Sequence, residues 1–293
     1  MAEFLIQNFN HLKIHTQYSI CEGAVKIDDL QDFSKTNKTK SLALCDTSNL
    51  CGALEFAEKI SKAGTQPIIG TQINFKFGDT VGLLPLFSLN EKGYKRIIKL
   101  SSLSFLENDE LSDPHVDFNN LLENNEGVAI FSGTTFGLFG ELFNKGKFSE
   151  IHDLYKKLNL TFGDRFYIEI QRHNDQNELG FEKFNLKKSL ELNIPIIATN
   201  EVFYINQDMY EAHDALICIG NKTYINEKNR KRFSNQHYFK SNSEMSELFA
   251  DLPEALENNY NFPLRCNFRP QFANPILPNI SSEKGGNAND LLK

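Results

Sequence analysis

The segment HLKIHTQYSICEGAVKI, residues 11–27, sets His11 and His15 around a lysine, Lys13, and follows them with Thr16, Ser19 and Glu22. Imidazoles and a carboxylate gathered after a short apolar strand are the donors that divalent metals bind. A metal held there would polarise a phosphoryl oxygen or turn water into a nucleophile. Lysine does not belong in such a set, because its ammonium has three donors and no lone pair. Comparable polar clusters end other apolar runs: Asp46 and Thr47, Arg172 and His173, and Thr199 to Glu201.

These clusters need a scaffold, and its pattern is regular. Seven β-branched, apolar runs read as buried strands: HLKIH, SLALCD, PIIGTQINF, LLPLFSL, GVAIFSG, RFYIEIQ and IPIIATN. Amphipathic helical patterns lie between most of them, such as LCGALEFAEKISKAG, where Leu50, Leu54, Ala57 and Ile60 share a face before Gly64 ends the helix. Repeated β-then-α units predict an α/β protein with a mostly parallel sheet, doubly wound or closed as a barrel. Neither a GxGxxG loop nor a P-loop is found, and polar groups collected at strand ends are how barrel sites are built. We therefore expect a barrel. After Phe203 the pattern turns helical, with DMYEAHDALICIG and then SEMSELFADLPEALENNYNF, which Asp251 and Pro253 divide.

The bulk properties exclude several classes. A chain of 293 residues with 40% hydrophobic and 24% charged residues is a globular protein large enough for one large domain or two ordinary ones. No apolar run reaches the ~18 residues a membrane helix needs, and MAEFLIQNFN is not a signal peptide, so a cytoplasmic protein is expected. Five cysteines without CxxC spacing suit reduced thiols, with Cys45 and Cys218 in the core. A net charge of −7 is a poor start for DNA binding, and the one dense basic run, KNRKRF at 228–233, reads first as a solvated loop.

Set side by side, HLKIHTQYSICEGAVKI, LALCDTSNLCGALEF, QPIIGTQINF, LFSLNEKGYKRIIKLSS, FYIEIQRHN, PIIATNEVFYINQDMYEAHDALICIGNKT and FKSNSEMSELFADLPEALENN resemble the N-terminal PHP (polymerase and histidinol phosphatase) domain of bacterial replicative DNA polymerase III alpha subunits. The likeness runs in order from about Phe9 to Pro278 and implies a distorted (β/α)7 barrel with extra C-terminal helices. Residues 1–278 would form the PHP domain, and 279–293 a linker and the interrupted start of the next polymerase region.

Active members of this family hold a metal cluster with histidines and carboxylates from the strand ends, and the resemblance allows each position to be checked. The His-x-His pair is Lys13 and His15; the acid after it is Glu22; the Asp-His pair is Asp46 and Thr47. The Gly-x-Glu carboxylate is replaced by Gln72, and the histidine opening the next strand by Leu83. His173 survives, and the final Asp-x-His is Glu201 with Phe203. Five positions are lost (Lys13, Thr47, Gln72, Leu83, Phe203) and four are kept in kind (His15, Glu22, His173, Glu201). The reading is a vestigial pocket with no catalytic residue and no metal; if any ion bound, those four would hold it. Lys13 is expected to supply the positive charge facing Glu22, Asp46 and Glu201, because buried like charges are costly.

The resemblance implies a structural module that docks the proofreading exonuclease subunit within the polymerase III holoenzyme. The intact relative would be a DNA-directed DNA polymerase, a nucleotidyltransferase using magnesium. This chain lacks the palm-type Asp-x-Asp pair, needs no cofactor, binds DNA weakly or not at all, contacts no membrane and is expected to be monomeric. The alternative is a residual metal-dependent phosphoesterase or 3′–5′ exonuclease. Phe181 and Phe184 are candidates for a partner surface, His213 for a carbonyl-bonded structural role or a pocket role, and His237 has no partner spacing.

Overall fold

The computed structural model describes residues 9–108 and 112–275, so the expected boundary at 278 and the tail beyond lie outside the described residues. The strands are β1 (Lys13–Ile14), β2 (Ser41–Thr47), β3 (Gln66–Phe77), β4 (Thr80–Ser88), β5 (Val116–Asp117), β6 (Val128–Phe131), β7 (Phe166–Ile170), β8 (Ile196–Ala198) and β9 (Glu201–Val202). The helices before β7 are α1 (Ile27–Asn37), α2 (Ala53–Lys62), α3 (Glu91–Leu106), α4 (Phe118–Leu122), α5 (Leu138–Asn144) and α6 (Phe148–Phe162). Those after it are α7 (Glu178–Leu192), α8 (Tyr210–Gly220), α9 (Asn242–Leu248) and α10 (Pro253–Asn261).

The strand order is β8-β7-β6-β4-β3-β2-β1-β9, with β5 appended to β3. Its two ends are consecutive pieces of chain, since only Thr199 and Asn200 separate β8 from β9. β8 pairs with β7, and β9 pairs with β1 in the register Lys13↔Glu201. The sheet therefore curls round on itself through one bent strand, giving seven staves. The expected α/β barrel is what forms, and its distortion has two sources. One is the break at Thr199–Asn200. The other is β4, antiparallel to both β3 and β6, because a tight turn at Gly78 and not a helix connects it to β3.

The strands are buried on both faces, which is why they read as continuous apolar runs. Inside the ring, Ala43, Cys45, Ile68, Phe87, Phe131, Tyr167 and Ile197 pack around Phe262, which plugs it from the short helix after α10. Outside, Ile14, Leu42 and Leu44 meet Leu30 of α1 and Phe56 and Ile60 of α2. The remaining strands pack against α3 to α7, α9 and α10. Helix α2 begins at Ala53, so its buried face is Ala53, Phe56, Ala57 and Ile60, and Leu50 packs from the preceding turn. The interior is dense enough that a Cβ added to Gly70 on β3 would lie 2.5 Å from the Phe87 ring.

One polar residue fastens the ring. Asn259 of α10 accepts from the Asn10 backbone N–H at 2.8 Å and donates to the carbonyls of Asn10 at 2.8 Å and Ala198 at 3.0 Å. It thus ties the start of β1 to the end of β8, where both edges would otherwise leave buried backbone groups unpaired.

Candidate functional site: a buried charge cluster at the strand ends

Inward-facing residues near the ends of β1, β7, β8 and β9 form a polar layer above the apolar interior. Lys13 is fully buried, with its Nζ 3.0 Å from Glu201 Oε1 and 3.7 Å from Glu169 Oε1. The same Glu201 oxygen lies 3.1 Å from His15 Nε2. Glu169 also accepts from Gln171 Nε2 at 3.0 Å and from the Thr199 hydroxyl.

The electrostatics follow from one ammonium among two buried carboxylates. Burial works against the charge on Lys13, but Glu169 and Glu201 overcome it and raise its pKa. Burial also pushes Glu201 up, yet Lys13 and His15 hold it well below the usual carboxylate range. Glu169 sits farther from Lys13, and there burial wins and its pKa is raised. Glu201 is the ionised partner of Lys13.

The other expected residues arrange themselves around this centre. Lys13, Glu22, Gln72, Leu83, Glu201 and Phe203 all line one narrow cleft, together with Lys231, with about 10 Å³ of free space inside, room for about one water. Thr47 donates its hydroxyl to Glu22 and accepts from Gln72 Nε2 at 3.0 Å, a neutral relay along one wall. Phe203 stacks on His15 with ring centroids 4.6 Å apart and meets Phe233 at 4.7 Å. Lys231 lies over the Phe233 ring at 4.7 Å, which seats the basic run beside the cleft. Its neighbour Arg230 is neutralised by a bidentate pair with Asp214, at 2.6 Å to each oxygen.

Several expectations are corrected. Asp46 and Glu22 do not share Lys13 with Glu201. Asp46 accepts from Thr16 N at 2.6 Å, Thr16 Oγ1 at 2.8 Å and Ser19 Oγ at 2.7 Å, which staples the 16–19 turn to β2. The second carboxylate on Lys13 is Glu169, which the motif comparison omitted. Its signal was the period-2 alternation of FYIEI, where Phe166, Ile168 and Ile170 pack outward and Tyr167 packs into the interior, so that Glu169 must face inward too. Arg172 does not face the pocket, since it binds Glu182 at 2.6 Å and Asp251 at 2.5 Å. Phe181 is buried in the core, whereas Phe184 is half-buried against Phe143 and Phe148. His213 bonds the Glu22 carbonyl at 2.8 Å and stacks on Phe203 at 5.3 Å.

His173 stands apart from the other survivors, and His237, which had no partner in sequence, is its neighbour. The two imidazoles stack with centroids 4.1 Å apart and planes 5° from parallel. His237 Nε2 lies 2.8 Å from Asp175 Oδ2, and its Nδ1 lies 3.1 Å from the Glu201 carbonyl. Burial, aided by His237 and Lys240, holds the His173 pKa well below its ordinary value. Ligand-type atoms of His173, Asp175 and His237 come within 4.8 Å of one another. An ion lies in the plane of each imidazole it binds, so two rings stacked in parallel cannot share one as placed.

A closed α/β barrel with histidine and carboxylate side chains at its strand ends defines a class, and sequence comparison agrees: the chain belongs to the PHP domain family, whose profile matches residues 11–173. Among the proteins it resembles are DNA polymerase III alpha subunits. That of Caulobacter vibrioides is 36% identical over 295 residues, covering 98% of this chain and 26% of the relative. That of Rickettsia conorii is 38% identical over 289 residues, covering 97% and 24%. The chain thus spans about a quarter of the length of these relatives. A solved two-domain protein of Bacteroides vulgatus, described as containing a predicted PHP-like metal-dependent phosphoesterase, matches with a TM-score of 0.42 at 14% identity, over 81% of this chain and 62% of its own.

A divalent ion does not fit the donors present around Lys13. The ammonium already stands against Glu201 and Glu169, and the walls at Phe203 and Leu83 offer no lone pairs.

Proposed function

We propose that this chain is a non-catalytic PHP module of a bacterial DNA polymerase III alpha subunit, acting as a rigid brace and as a docking surface for the proofreading exonuclease subunit. The observation that carries this reading is the centre of the cleft, where the buried Lys13–Glu201 pair at 3.0 Å and the Phe203 ring occupy the space that phosphate, water and metal would need. A barrel can present binding surface without chemistry, because fold and activity are separable. Similarity over nearly the whole chain to alpha subunits supports the polymerase setting. In the intact polymerase, nucleotide transfer would be carried by regions outside this chain.

The experiment has two arms. The purified chain is incubated with a chromogenic phosphate ester and with single-stranded DNA 3′ ends in zinc, manganese or magnesium, and no turnover above buffer is expected. Metal-stimulated hydrolysis abolished by H173A would overturn the non-catalytic reading in favour of a residual phosphoesterase. Separately, titration with the purified exonuclease subunit of the same organism is expected to give a saturable complex, and its absence would remove the docking role.

A further inference from the structure

We propose that the outward face of α8, with the basic loop folded along its edge, is a docking surface for an acidic amphipathic helix of a separate protein. The proposal goes beyond the docking reading above, since it names a face and a chemistry and holds for any partner that carries them.

The first observation is a helix that is apolar on both sides. α8 buries His213, Asp214, Ile217 and Cys218 against the barrel. On the opposite side lie Ala212, Ala215, Leu216 and Ile219, spaced i, i+3, i+4 and i+7, and Ile219 is 70% exposed. A helix of this kind is ordinarily covered all round. An uncharged stripe with that spacing is what a second helix packs against, and the two alanines let it come close. The second observation is that the stripe continues past the helix end. Cys21 packs so tightly on Gly220 that a Cβ there would lie 2.8 Å from its own, which brings the turn carrying Ile20, 84% exposed, to the end of α8. Tyr224 and Ile225, both exposed, follow where Thr223 donates to the Cys218 carbonyl at 2.9 Å. Contiguous exposed apolar surface of this kind marks an interaction site.

The third observation is charge. Residues 221–233 carry five basic side chains and one acidic in a chain of net charge −7. They run back along α8: Arg230 holds Asp214 at mid-helix, and Arg232 Nε donates to the Tyr210 hydroxyl at the helix start, at 3.0 Å. Arg232 reaches only the carboxylate that Arg230 already holds, and among the described residues Lys222, Lys228 and Lys231 have none within ion-pair range. An apolar stripe flanked by unpaired cations complements a helix with apolar residues on one side and carboxylates beside them. Apart from Tyr224 the exposed residues are aliphatic and give bases no platform to stack on, so the surface favours a peptide over single-stranded nucleic acid. A separate protein is also favoured over the continuation of this chain. The described chain leaves from the other end of the barrel, where Gln66 at the start of β3 donates to the Pro263 and Cys266 carbonyls, whereas α8 sits by the strand ends with His213 on the Glu22 carbonyl.

The test selects phage-displayed random peptides of about 16 residues, roughly four helical turns, on the 293-residue chain and measures the binders by fluorescence anisotropy. The binders should be rich in Asp, Glu and large apolar residues at helical spacing. Their affinity should fall about tenfold or more on I20D/I219D and on K222E/K228E, whereas the same reversal on α7, K183E/K187E, should leave it unchanged. All of these positions are exposed, so each variant should keep the wild-type thermal midpoint. Binders without acidic excess, or binders indifferent to both face variants, would overturn the proposal, as would an equal loss from the α7 reversal. So would oligothymidylate held as tightly and lost in the same variants, which would make the face a nucleic-acid surface. A dimer in sedimentation that I20D/I219D turns into monomer would assign it to a second copy. A full-length polymerase polypeptide that no longer takes the peptides would assign it to the rest of that chain, and either result sinks the separate partner. Phosphoester hydrolysis, or failure to bind the exonuclease subunit, bears on the function proposed above and not on this face.

Discussion

Glu201 is the residue on which the site's charge balance turns. E201Q would leave the fully buried Lys13 facing only the more distant Glu169, and a buried pair broken on one side costs about 3–5 kcal/mol. The pH dependence has a definite sign. A carboxylate held below its unfolded value stabilises the fold above about pH 4.3, and that stability is lost as pH falls through the folded pKa. The wild type should therefore lose stability steeply in acid, and E201Q should show a shallower acid limb in urea titrations. His11 adds a second, milder dependence. Burial lowers its pKa to about 3, so it folds neutral, and protonation of the unfolded chain disfavours folding as pH drops below about 6.5. Between pH 7.5 and 5 this amounts to about 2 kcal/mol, and H11F should lose about that much less over the same interval. At this scale the sequence was partly legible. Lys13, Glu22, Gln72, Leu83, Glu201 and Phe203 do converge on one cleft, because strand ends and motif spacing constrain them. Glu169 and the His237–Asp175 pair were missed, since the first has no motif and the second joins segments 62 residues apart, invisible to local spacing.

Helix α10 illustrates how an element decides the closure of a barrel. The sequence predicted a helix there, broken before Pro253, and the structure agrees; what local patterning could not give was its partner. Asn259 looks like an ordinary helical asparagine, yet its amide satisfies three backbone groups, two of Asn10 just ahead of β1 and one of Ala198 in β8. N259A would leave those groups buried and unpaired, at about 1–3 kcal/mol each, so a loss of about 3 kcal/mol or more is expected in denaturant unfolding. The β3–β4 connection was the other illegible feature. The runs QINF and LLPLF were read as strands, but a two-residue turn and not a crossover joins them, and the direction of β4 follows from that turn. Gly78 at φ 59° permits the turn, and G78V should destabilise the hairpin, since a β-branched residue in that region is strained.

For the whole molecule, the described residues contain no helix long and apolar enough to cross a membrane. The basic run offers less free charge than its composition suggests, because Arg230 is consumed by Asp214 and Lys231 is laid over Phe233. Binding of single-stranded DNA by this chain alone should accordingly be weak and vanish in moderate salt, measurable by fluorescence anisotropy between low and physiological ionic strength.

The ring is closed by contacts between the beginning and the end of the chain: Asn10 meets Asn259 across 249 residues, and β1 takes β9 as its second neighbour. During synthesis the first strand can find β2 early, but its other edge has no partner until β9 emerges, and the Asn259 clasp comes later still. At the usual pace of about 5–20 residues per second, the wait from Lys13 to Glu201 is roughly 9–38 s. Throughout it the buried lysine of the finished protein is a water-exposed charge on an open strand edge, and charged edge residues of that kind guard unfinished sheets against pairing with the wrong neighbour.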